Sequence, residues 1–337
     1  TLRQQLIHLN RTSDVQVRAV MRAGEQAGQT DIVLLTQAPA ARSWGVFVDN
    51  AGIESTGQHR VGVQGQLWGL AGINDLLSGS VAWSEGGLEG RVGYSGLLNR
   101  RNGRLGLSVS RNQINLIDGA YRDLDITGES TSYGLEYNQP WIASQQWLLA
   151  SQASVARSTS TSEITGLEVS RTDATVASVG MSLGYRGDGL DWSVNQNVAS
   201  VRTDELVLGS RSFITASGSA QLMQRLGSRY LYRAQLGWQF TSSDNLPSSN
   251  LFQVGGIGSV RGYERGVLSG VRGYYASLEL HRPYANGHDV YAFFDHGDVR
   301  GDFPAAASIS SVGIGLNGQF AKRYSYSLDV GHPLDEV

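Results

Sequence analysis

Two short segments hold the residues whose types and spacing could do chemistry. The first is Gly255-Gly256-Ile257-Gly258-Ser259-Val260-Arg261-Gly262-Tyr263, in which glycines surround a single arginine; the second is Phe293-Phe294-Asp295-His296-Gly297, inside a strand-like stretch. Glycines at 255, 256, 258 and 262 let a long loop fold back tightly, and a guanidinium offers a planar fork of donors to a carboxylate. Period two places Phe293, Asp295 and Gly297 on one face, opposite Val290, Ala292 and Phe294. The implied chemistry is an ion pair between Arg261 and Asp295 inside a polar lumen, which requires a wall with an interior. Desolvation can offset the Coulomb gain of such a pair, so a strut that braces the loop and a moving part that gates are both open readings. A second copy of the string, Val271-Arg272-Gly273-Tyr274, has no glycine cluster before it and runs on into the alternating Tyr274, Ala276, Leu278 and Leu280; it reads as the start of a strand.

Other candidate chemistry fails on context. Gly313-x-Gly315-x-x-Gly318 is a literal dinucleotide fingerprint, but Val312, Ile314 and Leu316 keep period two through it and no helix follows. The six histidines, His8, His59, His281, His288, His296 and His332, show no paired ligand spacing, so no metal and no cofactor are expected. There is no Gly-x-Ser-x-Gly elbow. Glu279 and His281, two apart on the inward face of one strand, are the only hint of an enzyme, and a weak one. A net charge of -3 offers no basic footprint for nucleic acid.

The elements that must position the pair are legible in composition and period. Charged residues make up 17% of the 337, under the ~25% of soluble domains, and no run of ~18 apolar residues could make a membrane helix. Glycine (43) and tyrosine (14) are plentiful, proline (6) is scarce and cysteine is missing. No positively charged, apolar leader opens the sequence, so an exported protein would be present here in mature or trimmed form. Alternation is clear downstream: Tyr230, Tyr232, Ala234, Leu236, Trp238 and Phe240 face one way, Arg233, Gln235, Gly237 and Gln239 the other. Val312, Ile314, Leu316 and Phe320 oppose Ser311, Gly313, Gly315, Asn317 and Gln319, and Tyr324, Tyr326, Leu328 and Val330 oppose Ser325, Ser327 and Asp329. A packed soluble core would not tolerate such inward faces without partners. A soluble sandwich or propeller also alternates, but many of these runs reach the nine or more residues that cross a bilayer at a tilt. Aromatics at run ends (Trp44, Trp83, Trp141, Trp147, Tyr185, Trp192, Tyr230) suit interfacial girdles.

The period predicts fifteen strands, near 43–50, 59–69, 74–84, 88–98, 103–112, 131–139, 146–157, 172–186, 190–202, 211–224, 229–242, 272–282, 288–297, 308–320 and 323–332. The fold class expected is an all-β antiparallel membrane barrel; since single-chain bacterial barrels are even-stranded, sixteen strands are expected in the intact protein, the last lying outside this sequence. Residues 1–39 differ in kind. Leu2, Leu6 and Leu9 sit at helical spacing, and Val15 to Val20 and Asp31 to Thr36 read as two strands around turn residues Gly24 to Gly28. The helix is expected to cover the strands holding Val17 and Ile32.

On these motifs the chain resembles the two-partner secretion transporters, the TpsB family of haemolysin and filamentous haemagglutinin exporters. The segment from Leu2 through Gly24-Glu25-Gln26 to Thr30-Asp31-Ile32 is similar to the end of a POTRA domain, and Asp49-Asn50-Ala51-Gly52 with Thr56-Gly57 to the family's first barrel strand and turn. Val260, Arg261, Gly262 and Tyr263 match the motif of the sixth extracellular loop; Phe293, Asp295 and Gly297 match that of strand thirteen. The resemblance implies a periplasmic POTRA remnant over 1–39 and an outer-membrane barrel over 40–337, with a first POTRA domain, a plug helix and the last strand outside these residues. It implies a monomer among membrane lipid and lipopolysaccharide that exports an unfolded partner exoprotein without nucleotide hydrolysis. A passive diffusion porin is the alternative, but it lacks a use for residues 1–37 and for the paired motifs.

Overall fold

A computed structural model describes all residues except Ala27, Ile73, Ala120, Val207, Leu208, Asn286, Asp302 to Pro304 and Lys322. The N-terminal lobe begins with α1 (Leu2–Thr12), whose first turn is closed by a reciprocal capping box between Thr1 and Gln4. Two strands follow, β1 (Gln16–Ala23) and β2 (Thr30–Gln37), paired antiparallel from Gln16 opposite Gln37 to Ala23 opposite Thr30. Ala27 of the expected turn lies outside the described residues. Asn10 ties helix to hairpin: its amide accepts from the Val17 N–H (2.7 Å) and donates to the Val17 carbonyl (2.8 Å).

The helix covers Val17, which is buried, but not Ile32, which is 49% exposed. The expectation for Ile32 is corrected by register: Ile32 pairs with Met21, toward the far end of the hairpin from Val17. A helix of eleven residues pinned at Asn10 does not reach that far.

The rest of the chain forms one antiparallel sheet of fifteen strands. In chain order these are β3 (Arg42–Asp49), β4 (Arg60–Trp68), β5 (Leu76–Ser84), β6 (Gly87–Leu97), β7 (Arg104–Asn115), β8 (Ile126–Ala143), β9 (Trp147–Ile164), β10 (Leu167–Arg186), β11 (Leu190–Glu205), β12 (Gly209–Leu226) and β13 (Tyr230–Thr241). A long loop carries a two-stranded insert, β14 (Phe252–Val254) with β15 (Leu268–Gly270), before β16 (Arg272–Pro283), β17 (Asp289–Arg300), β18 (Ala307–Phe320) and β19 (Tyr324–Pro333). Each strand of the sheet pairs with its neighbour in sequence, β13 with β16 across the insert. β3 and β19 are the two edges, and no pairing joins them among the described residues. Asp49 and Arg60 from one end nevertheless line the same cavity as Ser327 and Asp329 from the other, so the sheet is rolled upon itself.

All fifteen strands lie where period two puts them. Several run further at the end away from the lobe, β8 starting at Ile126 and β9 ending at Ile164. There the wall carries polar residues on both faces, such as Thr127, Ser130, Ser158 and Ser162, so the pairing continues without an apolar period to announce it. At the lobe end, Trp147, Tyr185 and Trp192 pack edge-on or stacked at 4.9 to 6.1 Å between ring centroids, as an interfacial girdle would.

The lobe docks on this end through a polar clasp. Asp14 pairs with Arg104 at 2.9 Å, Asn74 donates to Ser13 Oγ at 2.9 Å, and Asn102 donates to Thr12 Oγ1 at 2.6 Å. Asn74 and Asn102 both sit in tight turns at positive φ (65° and 59°), a conformation asparagine tolerates better than most residues.

Outward apolar side chains are exposed: Phe240, Val312, Ile314 and Leu328 all meet the surroundings rather than a second sheet. If those surroundings are lipid, Ile314→Arg should destabilise the wall by about 2–4 kcal/mol in urea unfolding from phospholipid vesicles. Asn317→Arg, on the inner face of the same strand, should cost much less. Equal costs would take the wall out of the membrane.

Candidate functional site: loop six inside the wall

Residues 242–271 connect β13 to β16 and return into the lumen. The fold-back rests on glycines at positive φ, Gly255 (116°), Gly256 (85°) and Gly262 (89°). At Gly262 a Cβ would also press to 3.0 Å from the Gly331 backbone of β19, so the loop lies flat against that strand.

Arg261 is the point of attachment. Its Nε is 2.7 Å from Asp295 Oδ2 and its Nη2 2.8 Å from Asp295 Oδ1, a bidentate fork, while its backbone N–H donates to the same carboxylate at 3.1 Å. Nη2 also donates to Ser277 Oγ (2.9 Å), and that hydroxyl donates in turn to Asp295 (2.6 Å). Nη1 meets Glu279 at 2.8 Å and Asp329 at 3.3 Å. The guanidinium lies over the Phe293 ring, 3.6 Å from its centroid, a cation–π contact that covers its remaining face. Arg261 is 9% exposed and Asp295 is 0% exposed.

The structure therefore brings Val260 and Arg261 of the loop motif against Phe293, Asp295 and Gly297 of the strand motif, while Gly262 and Tyr263 rest on the neighbouring strands β19 and β18. Val260 is buried in an apolar cluster with Val254, Val299 and Ile309. Tyr263 donates to the Ser310 carbonyl at 2.9 Å. Gly297 leaves room for loop six, since a Cβ there would stand 2.3 Å from Val254 Cγ1. The second string diverges: Arg272 donates to the Thr241 carbonyl (2.7 Å) and pairs with Asp244 (2.5 Å), clipping the root of the loop rather than its tip.

Sequence reasoning missed Glu279, Asp329 and Ser277 as partners of Arg261. All three alternate inward on β16 and β19, so their faces were readable but their heights relative to Arg261 were not. The hint of an enzyme at Glu279 and His281 has another explanation. His281, fully buried, bridges Glu279 (2.8 Å) and Asp289 (2.6 Å) and stacks on Tyr291 at 4.4 Å, extending the polar network toward the lobe end. The glycine fingerprint likewise has a packing role. A Cβ on Gly313 would strike the Phe293 ring at 2.2 Å, and one on Gly315 the Tyr291 ring at 2.2 Å. These glycines seat the two aromatics that flank Arg261.

A second apolar cluster fixes the loop's flank: Leu246 and Val271 pack on Ala199, Val201 and Phe213 of β11 and β12. Gly297→Ala should therefore dislodge the loop by overpacking at Val254, costing about 1–3 kcal/mol. Proteolysis within 255–266 should accelerate while the heat-modifiable folded band persists. Unchanged protection would mean that loop and wall are not packed this closely.

Similarity to known proteins follows the same outline. The heme/hemopexin transporter protein HuxB of Haemophilus influenzae is 22% identical over 358 residues, covering 97% of this chain and 62% of its own. CdiB from Escherichia coli superposes with a TM-score of 0.81 at 18% identity, over 97% of this chain and 65% of that one. CdiB from Acinetobacter baumannii gives 0.77 at 20% identity, over 97% and 63%. BamA from Haemophilus ducreyi lacking POTRA domains 1-3 gives 0.65 at 13% identity, over 100% and 75%. The chain thus has the fold of these barrels and spans less than two thirds of the length of HuxB and of either CdiB. Residues 28–318 match the model of the haemolysin secretion/activation proteins ShlB/FhaC/HecB, and the chain belongs to that family.

Proposed function

We propose that this chain forms most of an outer-membrane translocator that passes an unfolded partner exoprotein through its lumen. The observation that carries this reading is loop six, seated inside the wall on a buried Arg261 that three carboxylates and a ring hold. A diffusion pore for small solutes has no use for that device. Family membership supports export, and HuxB is itself described as a transporter. The cargo class is an adhesin, a haemolysin or a contact-dependent toxin.

In this reading residues 1–39 are the end of a periplasmic POTRA domain and 40–337 the barrel. The likeness to BamA across the whole chain, lobe included, supports that division. A sixteenth strand pairing with both β3 and β19 would satisfy two edges whose backbone groups are costly to leave open in hydrocarbon. The lobe lies in the periplasm and loop six enters from outside. The exoprotein adds strands to POTRA edges and threads the polar lumen, and its folding outside the cell, rather than nucleotide hydrolysis, supplies direction. The translocator works as a monomer in lipid and lipopolysaccharide, with no nucleic-acid partner.

Secretion of the partner from cells carrying Arg261→Ala tests the reading. Export should fall at least tenfold while the folded, heat-modifiable barrel persists, and Arg272→Ala should change export by less than twofold. Normal export by Arg261→Ala would reduce the motif to a strut, and loss of the folded band would assign it to assembly.

A further inference from the structure

The geometry points to a binding site for lipopolysaccharide on the outer wall of β8 to β12, with Arg157 and Arg202 taking a lipid A phosphate. Arg157 and Arg202 both stand opposite Thr175 on β10, one from each side, and Tyr133 stands opposite Arg157. The four residues form one cross-strand row. It faces outward, because Ala199, Val201 and Thr203, which alternate with Arg202 along β11, are buried on the lumen side while Tyr133 is 59% exposed.

Height is fixed by the girdle at the other end. Trp147, Tyr185 and Trp192 are register partners on β9, β10 and β11. Arg157, Thr175 and Arg202 each lie about ten residues along the same strands, or ~33 Å of strand and ~25 Å of height at a tilt of ~40°. That is the thickness of the apolar band of such barrels, so the arginine row sits at the outer-leaflet headgroups.

Two further observations define the ligand. Arg157 makes no hydrogen bond or ion pair among the described residues, and Arg202 reaches only Asp204, at 4.0 Å. The carboxylates one row further out are already engaged: Asp173 accepts from Thr159, and Asp204 from Ser210. Directly below the arginines the wall opens into an apolar groove of about 500 Å³, lined by Leu135, Val155, Ala177, Val179, Val198 and Ile214. An unpaired Arg157 and a weakly paired Arg202 above an apolar groove match a phosphorylated, multiply acylated headgroup.

The site rests on the outer-membrane placement above but not on export, and its test does not use export. Diphosphoryl lipid A and its dephosphorylated form are titrated against the purified protein in nanodiscs of neutral lipid, with the heat-modifiable band confirming the fold. Arg157→Gln with Arg202→Gln should weaken diphosphoryl lipid A binding roughly tenfold and leave the dephosphorylated form, already weak, unchanged. Arg111→Gln, whose guanidinium is committed to Glu129 at 2.7 Å, should change binding less than twofold. Each single variant gives a second reading if the double one misfolds. Equal affinity for the two lipid forms, an unaffected double variant, or an equal loss in Arg111→Gln would overturn the assignment.

Discussion

Burial of Arg261 against Asp295 is the constraint on which the rest of the structure depends. A guanidinium stays charged under all ordinary conditions, and taking it out of water costs several kcal/mol unless every donor is met. Here Asp295 takes two donors in a fork, Ser277, Glu279 and Asp329 take others, and Phe293 closes the open face. Those partners stand on β16, β17 and β19, so the ion network also fixes where loop six lies against three strands. Removing one partner from such a set typically costs about 3–5 kcal/mol, far more than the intact pair contributes, because a charge is left buried alone.

The apolar interior is arranged around the same constraint. Both hydrophobic clusters among the described residues lie where loop six or its roots meet the inner wall, one at Val254 and Val260, the other at Leu246 and Val271. In the membrane placement proposed above, a barrel wall of this size needs no core of its own, since its outward side chains face lipid and strand pairing meets most of its backbone groups. Core packing has therefore been concentrated at the one element that turns inward, and the glycines follow: Gly297 admits Val254, while Gly313 and Gly315 admit Phe293 and Tyr291.

Much of this was legible because it is periodic or chemically specific. Alternation located all fifteen wall strands, and an arginine among glycines with an inward aspartate two strands on identified the central pair. What was not legible depends on height and register. Glu279 and Asp329 could be placed on the inner face but not at the level of Arg261, since a shift of two residues keeps the face and moves a side chain nearly 7 Å. The β14–β15 hairpin is too short to show a period. The polar extensions of β8 and β9 alternate nothing, and Ile32 reads as a core residue although its hairpin outruns the helix that covers Val17.

Charge counting gives the site its character. One guanidinium faces three carboxylates, Asp295, Glu279 and Asp329, and the His281 ring bridges Glu279 and Asp289 beside them. The acids outnumber the cations, so their mutual repulsion is held in check mainly by Arg261. Withdrawing loop six would separate the guanidinium from all three at once and expose both apolar clusters; the return is hydration of the carboxylates in a polar lumen. Loop position and lumen electrostatics are therefore linked: with loop six seated one guanidinium offsets part of the charge of three carboxylates, and withdrawing it would leave that charge unopposed by Arg261.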